Sequence, residues 1–152
     1  MRHGLVTAAA IAAIVTTAAA QTRAPADLIH ERQAHYKQMG AAMKGINDQL
    51  HSAAPSIDAI RQGSRVILTY APQLLTWFPR GTGAEAGVRT RALPEIWSDS
   101  RNFHRAGAVL LVAARSLDAA AQRGDLDAIR AAVPQVAHAC GNCHDTYRAP
   151  EH

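Results

Sequence analysis

Two cysteines, Cys140 and Cys143, stand three positions apart, and a histidine, His144, directly follows the second. On a helix, residues three apart share one turn and one side. Two thiols so placed can each add across one vinyl group of the same porphyrin. The next residue then lies under the ring and offers its imidazole to the iron. Cys140-Gly141-Asn142-Cys143-His144 therefore reads as the attachment sequence for a c-type haem, with His144 as proximal ligand. Three other chemistries compete. A Cys-x-x-Cys dithiol of the thioredoxin kind belongs beside a βαβ pattern, and no strand pattern occurs here. A structural zinc site wants four ligands; Cys140, Cys143, His144 and His138 would have to be forced into one. A disulfide across three helical residues is strained and closes almost no loop. The chain has no other cysteine.

The elements that position this motif are helical. A first helix is expected from about Ala26 to Leu50, with Leu28, Arg32, Tyr36 (or His35), Met39, Met43, Ile46 and Leu50 on its inward seam. Steps of three and four residues of this kind make a bundle seam. Arg32 on that seam calls for an anion, or else snorkels near the helix start. Ser56 caps a second helix carrying Ile57, Ile60, Ser64, Ile67, Ala71 and Leu74. Pro72 has no N–H for the carbonyl of Leu68, so this helix ends or kinks near Tyr70. A Gly- and Arg-rich loop follows from Thr76 to Leu93. Its glycines do not make a phosphate loop, because no strand precedes them and no G-K-[ST] follows.

Pro94 opens a third helix with Ile96, Phe103, Gly107, Leu110, Ala114, Leu117 and Ala121 inward. Phe103 is core on this pattern, with packing against a porphyrin as the further expectation. Gly124 ends the third helix and Asp125 caps the fourth. The fourth carries Leu126, Ile129, Val133, Val136, Cys140, Cys143 and Tyr147 inward, with a kink expected just before Pro134. The sum is an all-α, up-down-up-down four-helix bundle with a covalent haem on the C-terminal helix.

The N-terminus has a different job. Met1-Arg2-His3 is a short basic start, Gly4 to Ala20 is an almost unbroken apolar run, and Ala18-Ala19-Ala20 before Gln21 offers an A-x-A cleavage site. Residues 1–20 thus read as a secretory signal peptide and 21–152 as the mature domain. No later stretch is long and apolar enough to span a bilayer. Export fits the motif, because c-type haem is attached outside the bacterial inner membrane; the expected location is the periplasm. The formal charge of +4 at pH 7 includes Arg2. Losing it and adding two haem propionates brings the balance near neutral. No basic block with interleaved aromatics argues for nucleic-acid binding.

Four segments together resemble one family. They are Arg32-Gln33, Pro94-Glu95-Ile96-Trp97-Ser98-Asp99, Gly124-Asp125-Leu126 and the run from Cys140 to Arg148. The mature chain is similar throughout to cytochrome c′, the class II c-type cytochromes. The resemblance implies a four-helix bundle, often a homodimer through its first two helices, with one haem c held by thioethers to Cys140 and Cys143. It implies His144 as proximal iron ligand, Arg148 beside the proximal face, Arg32 near a haem propionate, and Tyr36 overhanging the distal side. High-spin members carry a bulky non-ligating side chain at the Tyr36 position; low-spin relatives carry a ligating Met. A neutral phenol is a poor ligand at pH 7.

The expectation is then a periplasmic monohaem cytochrome with five-coordinate iron. It would bind NO or CO, exchange electrons with a redox protein, and perform no enzymatic conversion. The rival of the same fold is a six-coordinate His/Met electron carrier using Met39 or Met43, with His35 also near the seam. The rival of another class is a periplasmic dithiol oxidoreductase using Cys140 and Cys143.

Overall fold

The computed structural model describes residues 23–150. The signal sequence expected over residues 1–20 lies outside them. Five α-helices run in the order α1 (Pro25–Leu50), α2 (Ile57–Tyr70), α3 (Glu95–Ser98), α4 (Ser100–Arg123) and α5 (Leu126–Tyr147). A 3-10 helix, Ala71–Trp77, continues directly from α2, and a single 3-10 turn, Ala84–Ala86, interrupts the long loop. No strand occurs among the described residues; the one β-bridge pairs Ala92 with Arg148 in antiparallel sense.

The four long helices make the bundle. α1 packs on α2, α2 on α4, and α4 on α5, while α5 returns to touch α1. Local chemistry sets each boundary. The Ser56 hydroxyl accepts from the Ala59 amide at the start of α2. The Asp125 carboxylate accepts from the Ala128 amide at 3.0 Å at the start of α5. Each satisfies an amide that the first helical turn would otherwise leave orphaned. Gly124 ends α4 at φ +69°, a left-handed conformation that a side chain would strain. Gly124 and Asp125 thus reverse the chain between α4 and α5, as the sequence implied.

The seams are close to expectation, with informative exceptions. Ile60, Ser64, Ile67, Ala71 and Leu74 are all buried, as are Ile96, Phe103, Gly107, Leu110, Ala114, Leu117 and Ala121. On α1 the fully buried residue is Ile29 rather than Leu28, which is half-buried. On α5, Ala132 and Ala139 join Ile129, Val133, Val136 and Tyr147 in the core, while Cys140 and Cys143 are only half-buried.

One boundary departs from expectation. The helix expected from Pro94 is broken at Asp99, whose φ of −114° and ψ of 45° are not helical. The Asp99 carboxylate accepts from Asn102 Nδ2 and from the Tyr147 hydroxyl, at 2.9 and 3.4 Å. The indole Nε1 of Trp97 donates to the Phe78 carbonyl at 2.9 Å. These contacts turn α3 onto the loop and start α4 separately. Pro134, where a kink is expected, lies inside α5, which runs from Leu126 to Tyr147. Pro72 acts as expected, and the chain tightens into 3-10 geometry from Ala71 instead of becoming loop.

Candidate haem crevice

Cys140, Cys143 and His144 lie in the last two turns of α5. Both cysteines are free thiols and half-buried. Burial raises both thiols above their ordinary range, and Cys143, which also feels Cys140, is pushed up to about 11. A redox dithiol needs the opposite, a thiol depressed toward neutrality so that thiolate is available to attack. The burial that raises both thiols therefore counts against dithiol exchange. No cluster of three or more metal-binding side chains occurs among the described residues, so four-ligand zinc finds no set here. The ring of His138 instead pairs with Asn142 Nδ2 at 3.2 Å.

His144 is exposed on α5, and its imidazole is held below its ordinary range. Partial burial is the first cause, followed by the charges of Arg148 and Arg91, with Asp145 opposing. A lowered value favours the neutral ring, the form that ligates a metal. Arg148 lies just past the end of α5 with extended backbone, and its amide donates to the His144 carbonyl at 3.1 Å.

Tyr36, on α1, is near enough to the thiols to feel their charge. Burial is the main cause that keeps its phenol well above the ordinary range. Cys143 and Cys140 push the same way, while Arg32 and Arg148 pull it back. Its ring meets Trp77 edge-on at 5.3 Å and Phe78 at 6.4 Å. Gly141, between the two cysteines, has nothing within 4 Å of where a Cβ would lie. Two half-buried thiols that pack against the same core as the aromatic wall of Tyr36, Trp77 and Phe78, on either side of an unobstructed Gly141, fit a flat apolar group joined through sulfur. Sequence reasoning missed the Trp77–Phe78 part of this wall, because the pair falls where a loop begins.

The ionisation of Tyr36 has a consequence for stability. The native phenol holds its proton above the pH at which the unfolded chain's tyrosine releases it, so stability falls as pH rises. The contribution is complete below about pH 10 and is lost above it, at up to about 1.4 kcal/mol per pH unit for one group. Urea unfolding of wild type and Tyr36→Phe at pH 8 to 11 checks this. The wild type is expected to lose more stability across that range, and equal losses would show that Tyr36 carries none of it.

Arg32 takes a different place from the one its charge suggested. It is 3% exposed, yet its partners are neutral. Nη1 donates to Thr82 Oγ1 at 2.9 Å and weakly to the Trp77 carbonyl at 3.5 Å. Nη2 donates to the Thr82 carbonyl at 2.7 Å and to Thr90 Oγ1 at 2.8 Å. The guanidinium carbon sits 4.5 Å over the Phe78 ring. Burial lowers its basicity, and Tyr36 and Glu85 offset part of that. Arg32 thus pins the long loop to α1 rather than snorkelling outward.

Phe103 is core. It is 3% exposed and meets Phe78 at 5.2 Å and Tyr147 at 5.1 Å, both edge-on. It also lines a cavity of about 230 Å³ with Leu75, Phe78, Ile96 and Trp97, a lining that includes neither thiol nor Tyr36. Met39 is buried in the core and Met43 packs against it. His35 is stacked between Tyr70 at 4.6 Å and Trp77 at 4.7 Å. Its Nδ1 is buried without a hydrogen-bond partner.

A helical bundle with Cys-x-x-Cys-His on its last helix and an aromatic wall in the same core defines a class, the c-type haem bundles. Residues 27–148 match the family model described as Cytochrome C'. The chain is 34% identical over 124 residues to cytochrome c′ of Alcaligenes xylosoxydans xylosoxydans, covering 82% of this chain and 94% of that one. A solved cytochrome c′ with ligand-controlled dimer dissociation superposes with a TM-score of 0.79 at 27% identity, covering 85% and 99% of the two chains. A nitric oxide complex of a variant of the Alcaligenes xylosoxidans protein gives 0.76 at 30% identity, covering 86% and 100%. The chain belongs to the cytochrome c′ family. Its cofactor is accordingly covalently attached haem c, and Cys140 and Cys143 are the two thiols it offers.

Proposed function

We propose that this chain is a periplasmic monohaem cytochrome whose iron takes His144 on one side and no protein ligand on the other. With haem held by Cys140 and Cys143, it would take nitric oxide or carbon monoxide on the side that Tyr36 crowds and would exchange single electrons with a redox protein. Bound haem supplies an axial iron site and a one-electron Fe(III)/Fe(II) couple. The protein's part is to hold His144 neutral on the proximal side and to crowd the other. Arg148, whose amide bonds the His144 carbonyl, would stand at the proximal side; Arg32, whose guanidinium is taken up by Thr82 and Thr90, would act on a propionate through its charge rather than by a direct bond.

The observation that carries this reading is Tyr36. Its phenol is near enough to both thiols to feel their charge and is kept protonated by burial. A neutral phenol does not compete for iron, yet its ring limits what enters. Met39 and Met43 are engaged in core packing, which counts against the His/Met carrier. Support for nitric oxide as ligand comes from the relative solved as its nitric oxide complex. Support for a homodimer comes from the relative with ligand-controlled dimer dissociation. Periplasmic location rests on the leader sequence and on the family. No helix of the described residues is long and apolar enough to cross a membrane.

The test is the optical spectrum of the matured protein, oxidised and reduced, before and after CO. A broad high-spin reduced spectrum that shifts with CO supports the open site. Sharp low-spin bands unmoved by CO would overturn it and direct attention to Met39 or Met43. Tyr36→Ala is expected to speed CO association by about tenfold, a barrier change of about 1.4 kcal/mol. Stopped-flow mixing measures that rate.

A further inference from the structure

Helix ends fray, because their last carbonyls have no partner within the helix. The end of α5 does not have that freedom. Residues 91–93 run antiparallel to residues 147–149 through the bridge between Ala92 and Arg148. The Leu93 amide donates to the Tyr147 carbonyl at 3.1 Å, and the Ala149 amide donates to the Arg91 carbonyl at 2.8 Å. Arg91 then adds a side-chain bond, with Nε donating to the Ala149 carbonyl at 2.6 Å. One residue therefore grips both backbone polar groups of Ala149, and one of these bonds is charge-assisted.

The opposite side of the same turn is also fixed. Tyr147 is 6% exposed, packs edge-on against Phe103 at 5.1 Å, and gives its hydroxyl to Asp99. His144 lies one helical turn before both anchors, and the Arg148 amide donates to the His144 carbonyl. An exposed imidazole takes its direction from the backbone that carries it.

We propose that Arg91 is a positioning residue for the axial histidine: it closes a clasp of residues 91–93 on residues 147–149, which holds the last turn of α5 and fixes how His144 meets the iron. This rests on the reading of His144 as proximal ligand. Arg91 grips backbone rather than the imidazole; its charge also reaches His144, and the experiment separates the two. The sequence offered no sign of it, since an Arg in a Gly- and Arg-rich loop reads as solvated surface.

The experiment uses the full haem-loaded protein and compares wild type with Arg91→Gln, Arg91→Lys and Ala149→Pro. Ala149→Pro removes one clasp donor and leaves every charge in place. Resonance Raman of the ferrous protein reads the iron–histidine stretch. Hydrogen exchange reads the Leu93 amide, and the reduction potential reads charge. Arg91→Gln and Ala149→Pro are both expected to shift or broaden the stretch and to speed Leu93 exchange by at least about tenfold, as local opening of the clasp would. Arg91→Lys should restore the potential but not the stretch. Should Ala149→Pro fail to accumulate, Arg91→Gln decides. A stretch unchanged in Arg91→Gln, with or without a moved potential, overturns the proposal and leaves the ligand reading intact. A wild type with no iron–histidine stretch overturns both.

Discussion

Replacing Arg32 by leucine is expected to destabilise the protein by roughly 3 kcal/mol, a loss of about 10 °C in melting temperature for a domain of this size. The guanidinium fills three near-ideal hydrogen bonds at once, to Thr82 Oγ1, the Thr82 carbonyl and Thr90 Oγ1. A buried acceptor left without its donor costs about 1–3 kcal/mol, and leucine strands several together. The face of Phe78 also loses the cation above it. Lysine is expected to recover little. Its single ammonium keeps the charge but cannot span Thr82 and Thr90 with a planar fork. Thermal and urea unfolding measure the loss, and hydrogen exchange between residues 79 and 90 locates it. A variant as stable as wild type would mean that the loop is held by other contacts.

The second large effect is all-or-none. The double substitution Cys140→Ala and Cys143→Ala is expected to abolish covalent haem, leaving no haem stain on a denaturing gel. Each single variant should keep a weakened signal through its remaining thioether. His144→Ala is expected to retain stain when both thiols are present, but to lose the spectrum of histidine-ligated iron. Stain surviving the double substitution would remove the basis of the crevice, since no third cysteine exists to hold the group. The raised thiols sharpen the expectation. With Cys143 pushed up to about 11, these sulfurs hold little thiolate at neutral pH. Their chemistry in the folded chain is that of a covalent anchor rather than an exchange centre.

What could be read from the sequence was what depends on near neighbours. Ser56, Pro72, Gly124 and Asp125 act on residues within a turn of themselves, and each set a boundary where its chemistry requires one. Cys140, Cys143 and His144 were legible for the same reason: their spacing is their function. Contacts from far along the chain were not legible. Arg32 finds Thr82 and Thr90 at separations of 50 and 58 residues, through backbone and hydroxyl acceptors that carry no charge pattern. The break at Asp99 depends on Tyr147, 48 residues away. Leu28 and Ile29 are adjacent and equally apolar, so periodicity alone could not choose between them, whereas the packing of α1 does. Phe103 showed the limit of a type-based reading. It is a core ring as its spacing implied, but its partners are Phe78 and Tyr147.

The aromatic wall also gives the molecule an internal light gauge. The chain has two tryptophans. Trp77 stands 5.3 Å from the ring of Tyr36, and Trp97 is fastened to the backbone of Phe78, so both belong to the aromatic wall. A porphyrin at Cys140 and Cys143 would absorb what these indoles emit, leaving the folded holoprotein nearly dark. Emission would return as either tryptophan moves away. Because one indole rides on the turn after α2 and the other on α3, single-tryptophan variants would time the release of each wall of the crevice separately.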